Sequence, residues 1–141
     1  SMYYEEFPLR TSRYEQLILI TNQVLEIAAK SGIQNGLLTV LTKHTTTGIF
    51  VNESLECLES DIETFLSALV PEEHPYSHAR MLRDYGSTAG NPTGHLKSLL
   101  VGNHCHFPLQ GGLPIRGSAQ EIYFCEFDGP AERTIAVAVT N

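Results

Sequence analysis

A histidine followed by three threonines is the first place where this sequence could do chemistry. His44, Thr45, Thr46 and Thr47 stand directly before the short β-prone run 48–51. An imidazole can exchange a proton or hold a metal, and hydroxyl groups can donate hydrogen bonds to an anion. The same residues also suit an ordinary turn at a strand end with solvated hydroxyls. Both interpretations stay open at this point.

The glycine-flanked segment 90–98 is the second candidate. Its sequence GNPTGHLKS leads into a short helix predicted around residues 96–100. Free amide groups at a helix N-terminus attract anions, and Lys97 and Ser98 would add a charge and a hydroxyl. The glycine spacing is not that of a Walker loop. The alternative is a tight turn with a surface lysine, and we favour the anion site.

Three further polar features carry weaker signals. Arg116 follows a turn rich in Gly and Pro, which suits the capture of a carboxylate or phosphate, although a solvated turn arginine fits equally well. His104 and His106 share one face of a predicted strand. Metal sites use this arrangement, but no third ligand is spaced nearby, so an exposed strand face is preferred. His78 lies in the irregular stretch 72–94, which could fold over a site.

Asp61 lies on the clearest predicted helix, which runs from about residue 54 to residue 69. A stripe with the period of an α-helix collects its apolar side chains. These are Leu55, Leu58, Ile62, Phe65, Leu66 and Leu69. Asp61 falls at the border of the stripe, where its carboxylate could lean into a cleft or lie in water.

The rest of the chain consists mainly of short strands. Thr21 or Asn22 is expected to cap another helix, which should end at Ser31 with Gly32 in the left-handed cap position. Many short strands with two good helices and one short helix favour a β-rich α+β sandwich over a doubly wound parallel sheet. The predicted strands cover residues 2–11, 16–20, 37–42, 49–51, 103–109, 121–127 and 133–140.

Length and composition restrict the class of protein. The 141 residues suit one domain, spanning 1–141, and the net charge of −7 argues against nucleic acid or an anionic membrane as partner. No apolar run approaches the ~20 residues that cross a bilayer, and the polar, acidic start of the chain predicts no signal peptide. Three cysteines without a C-x-x-C spacing indicate a reducing, cytoplasmic location.

The order of these motifs along the chain resembles that of the YjbQ family, which is often labelled "secondary thiamine-phosphate synthase enzyme". The resemblance covers nearly the whole chain. It is carried by His44-Thr45, Val51-Asn52-Glu53, Asp61, Asp84-Tyr85, Gly94-His95-Leu96-Lys97-Ser98, Leu100-x-Gly102, Gln120-Glu121-Ile122, Glu126-Phe127-Asp128-Gly129-Pro130 and Arg133.

The resemblance implies a jelly-roll-like β-sandwich with flanking helices, assembled as a homotrimer. It also implies a polar cleft near subunit contacts, lined by His44, Asp61 and His95. Members of the family have been linked to a weak transferase activity that joins a thiazole phosphate to a pyrimidine diphosphate and yields thiamine phosphate.

Two departures from the family pattern bear on the chemistry. Arg83 stands where the family usually has a histidine before the Asp-Tyr pair, and His78, five residues earlier, is the candidate substitute. Ser118-Ala119 replaces the usual Thr-Trp. Because a guanidinium group cannot ligate a cation, Arg83 favours anion binding over metal binding.

Three functional hypotheses follow, and we favour the first. In the first, the protein is an enzyme on small phosphorylated molecules, with His44, Asp61 and His95 as its catalytic residues. In the second, it binds a small anionic ligand or a divalent metal without turnover; in the third, it is a trimeric scaffold. The anion would be held by Thr45, Lys97, Ser98 and Arg116, and a divalent metal such as zinc by His44, His95 and His78.

Overall fold

The computed structural model describes residues 1–78 and 91–141 and contains eight strands and three helices there. Within these ranges no helix has both the length and the apolar character that crossing a membrane requires. The elements are β1 (Met2–Arg10), β2 (Gln16–Leu19), α1 (Thr21–Lys30), β3 (Gly36–Thr42), β4 (Thr47–Asn52), α2 (Glu56–Leu69), α3 (Pro92–Val101), β5 (His104–Gln110), β6 (Leu113–Pro114), β7 (Glu121–Glu126) and β8 (Glu132–Thr140).

The strands form two sheets. A five-stranded sheet has the order β1-β8-β3-β5-β6 and a three-stranded sheet the order β2-β7-β4. Every pairing in them is antiparallel. The β-rich α+β class is therefore confirmed. The jelly-roll form is not confirmed, because a regular jelly roll has eight strands in two balanced sheets of Greek-key connectivity, whereas these sheets have five and three strands.

The main core lies where inward-facing side chains of both sheets meet, and α1 closes it. Successive residues of a strand point to opposite faces, so alternate positions supply the core. Its members are Ile20, Val24, Ile27, Ala28, Leu38, Val40, Ile49, Phe107, Leu109, Ile122, Phe124, Ile135, Val137 and Val139. β8 alternates as a strand with one buried face should, since Ile135, Val137 and Val139 all belong to this core.

A smaller core lies on the opposite face of the three-stranded sheet. Cys125 and Phe127 pack there against Leu66 of α2. The apolar stripe predicted on α2 is mostly uncovered, because Leu66 is the only residue of the helix that is buried and Phe65 is 62% exposed. Helical periodicity shows that one face is apolar, but it does not show whether the chain contains a surface wide enough to cover that face.

The ends of several elements differ from their sequence-based expectations. Thr21 does not cap α1, because its Oγ1 accepts a hydrogen bond from the Ile122 amide at 2.9 Å and so ties the helix to β7. The strand predicted over 16–20 is found as the edge strand β2, and its Leu19 is exposed. Gly32 has a φ of 70°, as expected for the left-handed cap position.

Two glycines allow α3 to lie against the three-stranded sheet. A Cβ atom on Gly48 of β4 would come within 2.7 Å of Cγ1 of Val101. A Cβ atom on Gly94 would come within 2.9 Å of the carbonyl oxygen of Phe127. Side chains at these positions would push the helix away from the sheet. The close approach matters because α3 carries His95 and Ser98.

Candidate functional site

His44 lies in the tight turn between β3 and β4, and threonines build this turn. Its amide donates to Oγ1 of Thr42 at 3.3 Å, and its carbonyl oxygen accepts from Oγ1 of Thr47 at 2.9 Å. The hydroxyls of Thr42 and Thr47 are themselves 2.8 Å apart. Thr46 and Thr47 are buried and Thr45 is exposed. Most of the hydroxyls in the predicted cluster therefore hold the turn, and Thr45 alone of the three remains available to a ligand.

A strand near the C-terminal end of the chain fixes the imidazole of His44. Its Nε2 accepts a hydrogen bond from the amide of Thr134 in β8 at 3.0 Å. Nδ1 has no hydrogen-bond partner in ranges 1–78 and 91–141, and it is not buried. Burial lowers the pKa of His44 below its usual value of 6.5, and the Arg133 guanidinium lowers it further. The ring is thus held neutral with one nitrogen open to solvent.

A buried ion pair lies beside this histidine, formed by two residues that carry the family resemblance but were not predicted as site residues. Arg133 donates from Nε to Oε1 of Glu126 at 2.8 Å and from Nη2 to Oε2 at 2.6 Å. Thr11 Oγ1 and the Asp128 amide complete the bonding of the carboxylate, at 2.8 and 2.9 Å. Burial alone would raise the pKa of Glu126, but these hydrogen bonds outweigh it and lower the pKa.

The position of Glu126 in a strand offered a signal for this pair. β7 is otherwise rich in apolar and aromatic residues, so a glutamate among them needs a partner if it is buried. Arg133 is the second residue of β8, only seven positions further along the chain. Arg133 also reaches Thr46 through Nη2 at 3.3 Å, which links the ion pair to the turn that holds His44.

His95 of α3 separates two cavities. A polar cavity of about 440 Å³ is lined by Thr42, Lys43, His44, Thr45, His95, Ser98, Leu99 and Asn103. A mainly apolar cavity of about 430 Å³ is lined by Tyr76, Ser77, His78, Pro92, His95 and Leu96. Of the predicted site residues, His44, Thr45, His95 and Ser98 thus meet in the polar cavity, and His78 joins His95 in the other.

His78 and His95 are in direct contact. Their ring centroids lie 5.1 Å apart in an edge-to-face arrangement. Nε2 of His78 is buried without a hydrogen-bond partner in the described part of the chain. A buried nitrogen left without a partner costs free energy, so it marks a place where a ligand could bind. The described residues contain no group of three or more His, Cys, Asp or Glu placed to hold a metal ion.

Lys97 is buried and paired, which neither the predicted anion site nor the alternative of a surface lysine anticipates. It is 1% exposed and pairs with Glu15 of the β1–β2 connection, and its ammonium lies 3.4 Å from Oγ of Ser67. Lys97 lies on the inward face of α3, between α2 and that connection. His95 and Ser98 lie on the outward face of the same helix. Its charge is already matched, so holding an anion would require this pair to break.

The N-terminus of α3 is occupied by the protein's own groups. Asn91 donates from Nδ2 to the Phe127 carbonyl at 2.8 Å. Thr93 lies within 2.9 Å of Oε1 of Glu72, and the Tyr14 hydroxyl donates to the same oxygen at 3.1 Å. A carboxylate therefore already lies where the dipole of the helix favours an anion. An anion at the helix entry would have to displace Glu72, and the anion site expected there stays a prediction.

Asp61 and Arg116 line neither cavity beside His95. Asp61 is exposed on α2 and forms no hydrogen bond or ion pair within ranges 1–78 and 91–141. Arg116 bonds to the carbonyl oxygen of Gln120 and lies 3.5 Å from the carboxylate of Glu121, next to β7. The expectations for Arg83 and for Asp84-Tyr85 lie outside the described residues.

Comparison with known proteins identifies the family. The sequence profile described as "UPF0047 protein YjbQ-like" matches residues 5–141. A UPF0047 protein of Methanothermobacter thermautotrophicus is 40% identical over 140 residues, which is 99% of this chain and 93% of that protein. The chain belongs to the YjbQ-like UPF0047 family. YugU of Bacillus subtilis, another UPF0047 protein, is 34% identical over 126 residues, 89% of this chain and 90% of that protein.

Solved structures of YjbQ-like proteins share the fold. A protein of Sulfolobus solfataricus, described as YbjQ-like and of unknown function, aligns with a TM-score of 0.90 at 31% identity and covers 99% of this chain and 96% of its own. A YjbQ/UPF0047 protein of Clostridium acetobutylicum aligns with a TM-score of 0.86 at 34% identity, covering 96% and 99%. These family members establish the fold and leave the activity open.

Proposed function

We propose that this YjbQ-like protein binds a small phosphorylated molecule in the cavities on either side of His95. The observation that carries the proposal is that His95 lines both the polar and the apolar cavity. A ligand could place an anionic group among His44, Thr45 and Ser98 and an apolar part beside Tyr76 and Leu96. Ligand sites commonly combine an apolar wall with a few polar groups that fix orientation.

Charge supports an anionic ligand. The chain has a net charge of −7, yet no described residue that lines either cavity is acidic. Lys43 lies at the wall of the polar cavity, and its ammonium pairs with Glu6 at 2.8 Å on the exposed surface. An exposed pair of this kind contributes little to stability, so a phosphate could compete for the lysine. His95 is the residue placed to exchange a proton with such a ligand.

Pyrophosphate should raise the melting temperature of the protein, and His95→Gln should abolish the rise. The variant removes the one side chain shared by both cavities, and hydrogen bonds to charged groups are worth about 1.5–3 kcal/mol. His106→Gln is the matched control, since His106 is exposed on β5 away from both cavities. The absence of any rise in the unaltered protein up to millimolar pyrophosphate would reject the proposal.

The transferase activity that the family resemblance implies is proposed for the same site. In that reaction the thiazole phosphate and the pyrimidine diphosphate would lie on either side of His95. Thiamine phosphate should form faster with the protein than with its His95→Gln variant. Equal rates with the protein and with the His95→Gln variant would mean that the site binds these molecules without catalysing this reaction.

A divalent metal is the second candidate ligand, because Nε2 of His78 is buried without a partner in the described chain and the ring of His78 contacts that of His95. A metal ion bound to these two imidazoles would act as a Lewis acid towards a phosphoryl oxygen. Zinc should then raise the melting temperature, and either His78→Gln or His95→Gln should remove the effect. A zinc response that survives both substitutions would place the metal elsewhere.

A homotrimer is proposed for the assembly. Helices α2 and α3 expose large apolar side chains, among them Phe65 of α2 and Leu99 of α3, which is 78% exposed. Leu99 also lines the polar cavity, so a contact between copies of the chain there would adjoin the site. Light scattering in solution should give the mass of three chains, and the mass of one chain would refute the proposal.

A further inference from the structure

We propose that His44 is a neutral imidazole with its proton on Nδ1, and that this N–H donates a hydrogen bond to an anionic oxygen of the bound ligand. The inference rests on the proposed function for the identity of the ligand, and on the geometry of His44 for the state of the ring. It assigns to His44 a binding role that differs from acid–base catalysis and from metal ligation.

The amide of Thr134 determines which nitrogen carries the proton. A backbone N–H group can only donate, and it lies 3.0 Å from Nε2 of His44. Nε2 must therefore present its lone pair, and in a neutral imidazole the single proton is then on Nδ1. If Nε2 carried a proton, two donors would face each other, and the amide of Thr134 would lose its acceptor.

The same hydrogen bond disfavours the predicted metal role of His44. A metal at Nε2 would displace the hydrogen bond from Thr134, and a metal at Nδ1 would require a ring without any proton. His78 and His95 carry no such restriction in the described contacts, since their rings meet edge to face and Nε2 of His78 has no partner. Among the histidines that line the two cavities, His44 is therefore a fixed donor. His78 and His95 are not held by a comparable hydrogen bond in the described contacts.

The position of Nδ1 suits a ligand in the polar cavity. This nitrogen is not buried and has no hydrogen-bond partner in the described chain, while the residue lines the polar cavity together with Thr45 and Ser98. The ring cannot turn away without losing its bond to Thr134, and the turn is held by Thr42 and Thr47. A donor that is fixed before binding loses little conformational entropy when the ligand arrives.

The tautomer can be observed directly. Long-range ¹H–¹⁵N correlation spectra of protein labelled with ¹⁵N-histidine distinguish imidazoles protonated on Nδ1 from those protonated on Nε2. The protein has six histidines, and the signal that disappears in His44→Asn belongs to His44. We expect the pattern of the Nδ1–H tautomer at neutral pH without ligand. The Nε2–H pattern, or a mixture of the two, would overturn the inference.

Two substitutions then test the donor role. The amide nitrogen of an asparagine can take the place of Nδ1, whereas the amide oxygen of a glutamine can take the place of Nε2 and accept from Thr134. His44→Asn should bind pyrophosphate within about threefold of the unaltered protein, and His44→Gln should bind about 10- to 100-fold more weakly. His106→Gln should bind normally.

The outcomes separate the two proposals. If the unaltered protein does not bind pyrophosphate in calorimetry, the proposed function and the donor role both fail, while the spectra still decide the tautomer. If it binds and His44→Gln binds equally well, the donor role alone is refuted. Circular dichroism of both variants shows whether the turn has kept its fold, and an unfolded His44→Gln is replaced in the comparison by His44→Ala.

Discussion

Replacing Arg133 by methionine should lower the free energy of unfolding by about 3–5 kcal/mol, as measured by urea denaturation. Glu126 is 0% exposed, and Arg133 supplies two of the four hydrogen bonds to its carboxylate. Removing one partner of a buried ion pair leaves the other charge uncompensated, which costs about this amount. Methionine keeps most of the apolar volume, so the effect is mainly electrostatic.

Arg10→Met is the matched control for Arg133→Met. Arg10 pairs with Glu132, next to Arg133 in sequence, but the two side chains are 78% and 76% exposed. A pair in water contributes about 0–1 kcal/mol, so the control should be nearly neutral. Equal losses in the two variants would contradict the assignment of the large effect to burial.

The effect of Arg133→Met should also depend on pH. The pKa of Glu126 is lowered in the folded protein, so the stability that its carboxylate contributes is present above the ordinary value of 4.5 and is lost as the pH falls through the folded value. In the variant, burial without the guanidinium favours the neutral acid. The difference in stability between the two proteins should therefore shrink as the pH is lowered from 7 towards 3.

The strands were the part of this fold that local pattern could predict. β8 alternates apolar residues on one face, and the strand predicted over 2–11 is found as β1, paired with β8 from Met2 to Arg10. Alternation at every second residue is visible within the sequence of one strand, so it can be predicted without knowing which strand pairs with it. The division into a five-stranded and a three-stranded sheet depends on which strands pair, and no local pattern contains that.

Part of the site could be predicted, but from the order of family motifs and not from local pattern. His44 and His95 are 51 positions apart in the sequence, and only the order of family motifs suggested that they share a cleft. The tautomer of His44 depends on Thr134, which is 90 positions away. Glu126 is held by Thr11, 115 positions away. Contacts over such separations are formed by strand pairing, so they become visible only once the sheets are known.

Lys97 shows how the burial of a charge escapes a sequence pattern. Lysine is among the residues least often buried, so a surface position was the natural expectation. Its partner Glu15 is 82 positions away, in a connection without any motif. The segment 90–98 thus contains both an open face, with His95 and Ser98, and a buried face that anchors the helix. Helical spacing separates these two faces, but it does not reveal which face packs against the rest of the protein.

Removing the partner of Lys97 should cost more than removing Lys97 itself. In Glu15→Gln the ammonium of Lys97 stays in a site that is 1% exposed and loses its opposite charge. Its neighbours in the described chain are then neutral oxygen atoms, that of the new amide and that of Ser67 at 3.4 Å. In Lys97→Met an apolar chain replaces the lysine, and the side chain of Glu15, which is 21% exposed, can still reach water. We expect a loss of about 2–4 kcal/mol for Glu15→Gln and about 1 kcal/mol for Lys97→Met.

The double variant Glu15→Gln/Lys97→Met completes the cycle and separates the ion pair from packing. It should be more stable than Glu15→Gln alone, because the uncompensated charge is gone. Pyrophosphate binding by the same proteins tests whether the pair positions the site: Glu15→Gln should weaken binding by loosening α3 under His95 and Ser98, and the double variant should recover it. Recovery of stability without recovery of binding would mean that the Lys97 ammonium itself contributes to the ligand site.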